Sequence, residues 1–237
     1  MDSLQFNYDE QSPVLNISGL RVAAGERIAL LGPNGSGKTS FLKVIAGMFD
    51  FSNGSLSIDG YDIRQIDPYD LRRNAYYLPQ EVKLFAGTLR DNLAFGSNRW
   101  SEAQTVAALD FAGLSNLVAN NPKGLDLEIG DGGVGLSLGQ RQCVGLARMY
   151  LQNPSIVLMD EPTASLDQMQ EGQIIVRLQE WLKGRTCIIT THRMQLLDLV
   201  DRIVVLQNGE LTLDDTVEVA MQKLGSNQSS GPQHEAA

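Results

Sequence analysis

The stretch Gly32–Thr39 reads GPNGSGKT and fits the phosphate-binding pattern G-x-x-x-x-G-K-[ST]. Apolar residues 28–31 precede it and predict a buried strand that runs into the loop, while the apolar spacing over residues 41–45 predicts a helix that runs out of it. The glycines of such a loop let backbone N–H groups turn inward around phosphates, and the positive end of the following helix favours their charge. The stretch therefore predicts a site for the phosphates of a nucleotide.

Individual residues of this loop have separate predicted roles. Lys38 is expected to reach the terminal phosphates, and the Thr39 hydroxyl is expected to ligate Mg²⁺. The loop backbone and the first helical residues are expected to make the remaining phosphate contacts. The whole predicted set is Asn34, Gly35, Ser36, Gly37, Lys38, Thr39 and Ser40.

The bulk composition limits the class of protein. The chain has 237 residues, 43% of them hydrophobic, which is enough for one large domain with a buried core. Its formal net charge of −9 argues against a protein whose main role is to bind nucleic acid, because that role needs clustered Lys and Arg. No apolar run approaches the roughly eighteen residues of a membrane span. Cys143 and Cys187 lie in apolar surroundings without metal-ligand spacing and are expected to be reduced core residues.

Two blocks in which strands and helices alternate flank a middle section of different character. In the middle section strand signals vanish, and Ser101 and Ser137 each open a capping box that predicts the start of a helix. A further helix is expected from about Gln168 to Leu182, and Asn208-Gly209 predicts a hairpin turn. Strands are expected over residues 4–8, 27–32, 75–78, 156–159, 186–189 and 202–206, with a turn-rich hairpin region over 52–60.

This alternation predicts an α/β fold, and the P-loop pattern at residues 32–39 indicates the P-loop NTPase class. Its core sheet is expected to be mostly parallel, with an N-terminal antiparallel β region and a helical subdomain. The predicted domain covers residues 1–225, with a core of about 1–87 and 153–225 and a helical subdomain of about 88–152. Residues 226–237, rich in Ser, Gln and Gly, are predicted to be a disordered tail.

A second acidic motif completes the predicted phosphate site. Asp160 and Glu161 directly follow the four apolar residues 156–159. Asp160 is expected to bind Mg²⁺ through its hydration shell, and Glu161, one residue beyond the strand, to polarise a water for attack on the γ-phosphate. Two adjacent acids after a strand can also form a solvated turn, but beside a P-loop the catalytic interpretation is favoured.

With its remaining motifs the chain resembles the nucleotide-binding domain of an ATP-binding cassette (ABC) transporter over nearly its whole length. The motifs follow in the order of that family. They are the Q-loop sequence Tyr77-Leu78-Pro79-Gln80, the signature Leu136-Ser137-Leu138-Gly139-Gln140 in place of L-S-G-G-Q, the D-loop Ser165-Leu166-Asp167 and the H-loop Thr190-Thr191-His192.

The resemblance implies roles for single residues. Gln80 would reach the metal and the attacking water, and His192 would hold the charge that develops at the γ-phosphate. Tyr8 matches the aromatic residue that stacks on adenine, although a tyrosine packed at a sheet edge is an open alternative. The signature and D-loop residues would contact nucleotide at the dimer interface; these are Ser137, Gly139, Gln140 and Asp167.

The resemblance also implies ligands and partners. It implies ATP and Mg²⁺ as cofactors, and a second copy of the domain bound head to tail, with ATP between the P-loop of one copy and the signature of the other. The nucleotide-free domain is expected to be a monomer. A transmembrane domain, fused or separate, is the other expected partner, and fusion is preferred. The nucleotide-binding domain is then expected at the cytoplasmic side of the inner or plasma membrane. No nucleic-acid partner is expected.

Residues 84–93, LFAGTLRDNL, resemble the exporter segment L-F-x-G-T-I-R-E-N-I and favour an exporter, most like the type I protein-secretion ATPases. Two positions depart from the family. Asp131 replaces a glutamate of the loop before the signature, and Leu138 replaces the first glycine of the signature. Two other functions stay open, a DNA-maintenance ATPase and a nucleotide-binding regulatory module that does not hydrolyse ATP. The first would carry a long coiled coil that the sequence lacks.

Overall fold

The structure, a computed structural model, describes residues 1–8, 14–95 and 100–228. The strands in chain order are β1 (Ser3–Phe6), β2 (Leu15–Ile17), β3 (Arg27–Leu31), β4 (Asn53–Ser55), β5 (Ser57–Ile58), β6 (Tyr61–Asp62), β7 (Ala75–Leu78), β8 (Gly87–Thr88), β9 (Glu128–Ile129), β10 (Ile156–Asp160), β11 (Thr186–Thr190), β12 (Arg202–Gln207) and β13 (Glu210–Thr216). The helices are α1 (Lys38–Ile45), α2 (Pro68–Asn74), α3 (Leu89–Ala94), α4 (Glu102–Phe111), α5 (Ser115–Ala119), α6 (Leu138–Gln152), α7 (Gln168–Trp181) and α8 (Val217–Gln228).

A six-stranded sheet forms the centre of the molecule, with the strand order β13-β12-β3-β11-β10-β7. Its strands β12, β3, β11, β10 and β7 are parallel to their neighbours, and β13 pairs antiparallel with β12 at one edge. Asn208 and Gly209, with φ of 50° and 80°, form the turn between β12 and β13, as the sequence predicts. The predicted mostly parallel core sheet is confirmed.

The N-terminal β region is antiparallel, again as predicted, but its pairing differs in detail. β1 lies between β2 and β4, and it ends at Phe6 rather than at Tyr8. The hairpin region expected over residues 52–60 is split, because Asn53–Ser55 pairs with β1 and only the short strands β5 and β6 form a local hairpin.

Two apolar clusters cover the two faces of the central sheet. β10 shows why, since its side chains alternate between them: Val157 and Met159 belong to one cluster and Leu158 to the other. Cys143 and Cys187 are both buried and free, as expected for core residues. No helix within the described ranges is long and apolar enough to cross a membrane.

The middle section consists mainly of helices, and both predicted capping boxes are present, at Ser101 and Ser137. One expectation for this section is wrong, because Glu128–Ile129 forms a two-residue strand with Gly87–Thr88. A strand of two residues is too short to show a periodic pattern in the sequence. It is recognised only by its pairing with Gly87–Thr88. The predicted tail over 226–237 begins inside α8, which continues to Gln228, and its residues 229–237 lie outside the described ranges.

Candidate nucleotide-binding site

Parallel strands β3, β10 and β11 end at the same edge of the sheet, and a cleft of about 670 Å³ opens there. One predicted motif lies at the end of each strand: the P-loop follows β3, Asp160 ends β10, and His192 follows β11. Gln80, two residues after β7, lines the same cleft. The carboxyl edge of an open parallel sheet is the usual ligand site of α/β folds. The topology thus brings together residues far apart in sequence.

The P-loop needs glycine at two of its positions. Gly32 has φ of 150°, and a Cβ there would lie 2.0 Å from the backbone oxygen of Leu206. Gly37 has φ of 102° and forms the N-cap of α1. Among the described residues, no protein acceptor receives the backbone N–H groups of residues 37–40. The start of α1 is therefore a bare, positively polarised helix end that suits an anion.

Lys38 extends along this loop. Its Nζ donates to the carbonyl oxygens of Gly32, at 2.7 Å, and Pro33, at 3.0 Å. Burial lowers the pKa of Lys38, and the carboxylates of Glu161 and Asp160 act in the opposite direction. A lysine held beside two acids and open N–H groups is placed to bind the terminal phosphates of a nucleotide.

Asp160 is buried and accepts three hydroxyl hydrogen bonds. Its Oδ2 accepts from Thr39, at 2.7 Å, and from Tyr77, at 3.2 Å, and its Oδ1 accepts from Thr190 at 2.6 Å. Hydroxyl, carboxylate and, from Gln80, amide oxygens are the ligands that Mg²⁺ prefers. The residues present therefore fit the predicted magnesium site.

Glu161 adopts an unusual backbone conformation, with φ of 48°. Its N–H is held by both oxygens of Thr190, the carbonyl and the hydroxyl, each at 3.1 Å. Left-handed backbone at a non-glycine residue is strained and is found mainly at functional sites. These two hydrogen bonds hold the strained residue in place.

The Glu161 carboxylate faces His192. Its Oε1 is buried, has no hydrogen-bond partner among the described residues, and lies 3.4 Å from His192 Nε2. That distance exceeds an ordinary hydrogen bond, so the contact is electrostatic. Burial raises the pKa of Glu161, and nearby His192 opposes this shift. A carboxylate with raised proton affinity and one open oxygen can accept a proton from water.

An ion pair between a buried carboxylate and a half-buried arginine supports this corner and was not predicted from the sequence. Glu171 on α7 accepts from Arg193, next to His192, and from the Thr163 hydroxyl at 2.6 Å. Arg193 also donates to the Ala164 carbonyl at 3.1 Å. These contacts connect the H-loop to the segment between β10 and α7.

Tyr8 lies at the mouth of the cleft. Its ring meets Phe6 and Phe49 edge-on, with centroids 4.9 and 5.5 Å away, and its hydroxyl hydrogen-bonds Ser40 Oγ at 2.8 Å. Tyr8 is 59% exposed, so much of the ring is open to a ligand. Stacking on adenine stays a prediction.

The signature residues lie apart from this cleft as the described residues form it. Ser137 is the N-cap of α6, accepting from the Gln140 N–H at 3.1 Å while Gln140 Oε1 accepts from the Ser137 N–H at 2.9 Å. Gly139 is buried, and a Cβ there would lie 2.9 Å from the Ser165 carbonyl oxygen. Asp167 caps α7 through the Gln170 N–H. Within one chain, the signature and the P-loop therefore do not line the same cleft.

The fold and this cleft define a P-loop nucleotide-binding protein. The family model for the ABC transporter matches residues 15–164, and the chain belongs to the ABC transporter family. The predicted resemblance to the ATP-binding part of ABC exporters is thereby confirmed.

Individual relatives agree with this assignment. The chain is 37% identical over 94% of its length to an ATP-dependent lipid A-core flippase of Syntrophus aciditrophicus. It is 38% identical over 89% of its length to the cyclolysin secretion/processing ATP-binding protein CyaB of Bordetella pertussis. The structure of a bacterial Atm1-family ABC exporter with ATP bound matches 99% of the chain, with a TM-score of 0.89 and 32% identity.

These relatives are much longer than this chain. It spans 37% of the flippase, 30% of CyaB and 42% of the Atm1-family exporter chain. The similarity therefore concerns one part of each of those proteins.

Proposed function

We propose that this chain is the ATP-binding and ATP-hydrolysing motor domain of an ABC exporter. The observation that carries the proposal is the convergence of Lys38, Thr39, Asp160, Glu161 and His192 in one cleft. Each has the chemistry that phosphoryl transfer to water needs: phosphate binding, metal binding, a base and a stabiliser of developing charge.

Phosphate binding is assigned to Lys38 and the open N–H groups at the start of α1. Thr39 and Asp160, with Gln80, would hold Mg²⁺, which when bound supplies positive charge to the phosphate oxygens. The buried Ser36 Oγ has no partner among the described residues, which fits a loop built around a ligand.

Proton transfer is assigned to Glu161, with His192 beside it. The open Oε1 of Glu161 would accept a proton as a water attacks the γ-phosphate, and His192 would stabilise charge at the transferred group. The two hydrogen bonds from the Glu161 N–H to Thr190 hold the backbone of Glu161 beside the cleft.

The separation of the signature from the cleft supports a head-to-tail pair. Ser137 lies exposed at the start of α6, where its hydroxyl can still donate a hydrogen bond. In such a pair, Ser137, Gly139 and Gln140 of one copy would complete the nucleotide site of the other, with Asp167 at the shared interface.

A transmembrane domain, fused or separate, is the second proposed partner, which would place the motor at the cytoplasmic side of the inner or plasma membrane. For the cargo we propose a protein or peptide, on the similarity to CyaB. The lipid A-core flippase is almost equally similar, so identity alone does not select the cargo.

The Glu161→Gln variant tests the motor. The amide keeps the shape of the site but cannot act as a base, so turnover should fall by about two to three orders of magnitude while ATP still binds. ATP should then trap a dimer, measured by size-exclusion chromatography with light scattering. Glu180→Gln, an exposed change on α7, is the matched control. A Glu161→Gln variant that turns over ATP normally, or stays monomeric at high concentration with ATP, would contradict the proposal.

A further inference from the structure

We propose that Tyr77 is a positioning residue that holds the Asp160 carboxylate and so strengthens Mg²⁺ binding beside the nucleotide. The inference rests on the proposed function, because it concerns the same metal site. It does not follow from the known motifs, in which the acidic residue, the P-loop hydroxyl and the Q-loop glutamine are the assigned groups.

One oxygen of the Asp160 carboxylate accepts from two donors on different elements. Asp160 Oδ2 accepts from Tyr77 on β7 and from Thr39 on α1, at 3.2 and 2.7 Å. The other oxygen is fixed by Thr190 on the opposite neighbouring strand. Donors on both sides of β10 therefore prevent the carboxylate from rotating about its Cβ–Cγ bond.

The two donors to Asp160 Oδ2 differ in their relation to the bound ligand. Thr39 belongs to the P-loop helix and is itself a proposed metal ligand, so ligand binding changes its surroundings. Tyr77 belongs to a strand paired with β10 and packs against a buried apolar cluster. It is therefore the donor to Oδ2 that does not depend on the ligand.

Tyr77 is also close in sequence to Gln80. The chain passes from Tyr77 to Gln80 within three residues, and Gln80 lines the cleft. Tyr77 thus fixes Asp160 relative to the strand that presents another proposed metal ligand. A metal site gains affinity when its ligands are held in place by such outer contacts.

Tyr76 offers a matched control in the next position of the strand. Its side chain points to the opposite face, packs against the other apolar cluster, and its hydroxyl donates to the Gly145 carbonyl at 3.3 Å. Tyr76→Phe and Tyr77→Phe each remove one hydroxyl from a half-buried tyrosine, but only the second removes a donor from Asp160.

The test measures binding of the fluorescent nucleotide N-methylanthraniloyl-ADP to the wild-type chain and both variants, with Mg²⁺ titrated from zero after EDTA treatment. Tyr77→Phe should raise the Mg²⁺ concentration needed for half-maximal enhancement by roughly three- to tenfold. Nucleotide affinity without metal should be the same in all three proteins. Mn²⁺ bound in the presence of ADP, counted by electron paramagnetic resonance, should weaken by a similar factor.

Turnover provides a second comparison. In Tyr77→Phe, excess Mg²⁺ should restore most of kcat, because the loss is one of metal affinity. If the phenylalanine variant does not purify as a folded protein, Tyr77→Met repeats the test with a flexible apolar side chain.

The inference is overturned if Tyr77→Phe matches Tyr76→Phe in its Mg²⁺ dependence, or if it loses metal-free nucleotide affinity to the same extent as metal-supported affinity. A wild-type chain whose nucleotide binding does not respond to Mg²⁺ would instead overturn the metal site of the proposed function. The two failures are therefore distinguishable within one titration.

Discussion

Helices α1 and α6 both begin at sequences expected to meet phosphate, but their N-termini are built in opposite ways. α1 starts after Gly37, in the left-handed region, and its first N–H groups have no acceptor among the described residues. α6 starts after Ser137, whose capping box with Gln140 uses two of the donors that a helix start leaves open. The start of α1 has no side-chain capping hydrogen bond, whereas the start of α6 is capped by its own side chains.

The two helix ends therefore suit phosphates that are bound in different ways. A bare helix end gains much from an anion, which suits a nucleotide bound firmly by one chain. A capped end is stable alone, and Ser137 can still donate its hydroxyl hydrogen to a passing anion. The α6 end thus suits a phosphate that arrives and leaves with a second copy of the chain.

Between the two helix ends, the larger effect is expected at α1, from Lys38→Ala. Removal of this charge should lower nucleotide affinity by about tenfold to a hundredfold, because hydrogen bonds to charged groups contribute most. Lys43→Ala, in the last turn of the same helix, is the control, since Lys43 does not line the cleft. Equilibrium binding of a fluorescent ATP analogue measures both. Unchanged affinity in Lys38→Ala would contradict the assignment of α1 as the phosphate-binding end.

A smaller effect is expected from His192→Ala, which lines the same cleft as the start of α1. Its side chain is 54% exposed, so solvent weakens its electrostatic contacts, and we expect a fall in kcat of about tenfold. Nucleotide affinity should change little, because the proposed contact forms mainly as charge develops.

Steady-state ATPase assays and equilibrium binding separate these two quantities. A large loss of affinity with normal turnover at saturation would make His192 a structural residue and not a stabiliser of the transferred phosphate.

Local sequence chemistry was sufficient to predict much of the fold. The P-loop, the strand before Asp160, both capping boxes and the Asn208-Gly209 turn depend on neighbouring residues, and all are present. The contacts around Asp160 were not predicted, because Tyr77 and Thr190 reach it only through the register of parallel strands. Register depends on the packing of the whole sheet, which a local pattern does not contain.

Gly139 illustrates the same limit at the signature. From the sequence, this glycine was expected to contact nucleotide at the dimer interface. In the structure the close approach is internal, between Gly139 and the Ser165 carbonyl of the same chain. Gly139 therefore also allows α6 to pack closely against the D-loop, a contact between segments separated along the chain.

The smallest effect is expected at the α6 end, from Leu138→Gly, which restores the family's glycine. Leu138 is the first residue of the helix, its φ is not positive, and its side chain is 64% exposed. Leucine is therefore unstrained here, and glycine gains nothing from its access to positive φ. ATPase activity should stay within a few-fold of wild type. The free energy of unfolding should fall by about 0.5 to 1 kcal/mol, because glycine loses more backbone entropy on folding.

Urea unfolding and ATPase assays on Leu138→Gly and Leu138→Ala separate the two contributions of this residue. Leu138→Ala removes the exposed side chain but keeps the helical preference, so its stability should stay near that of wild type. A tenfold or greater rise in activity in both variants would mean that the leucine side chain obstructs the approach of the second copy. The same rise in Leu138→Gly alone would mean that the backbone at the start of α6 must change its conformation to bind phosphate. The start of α6 would then be flexible, whereas the start of α1 is preformed.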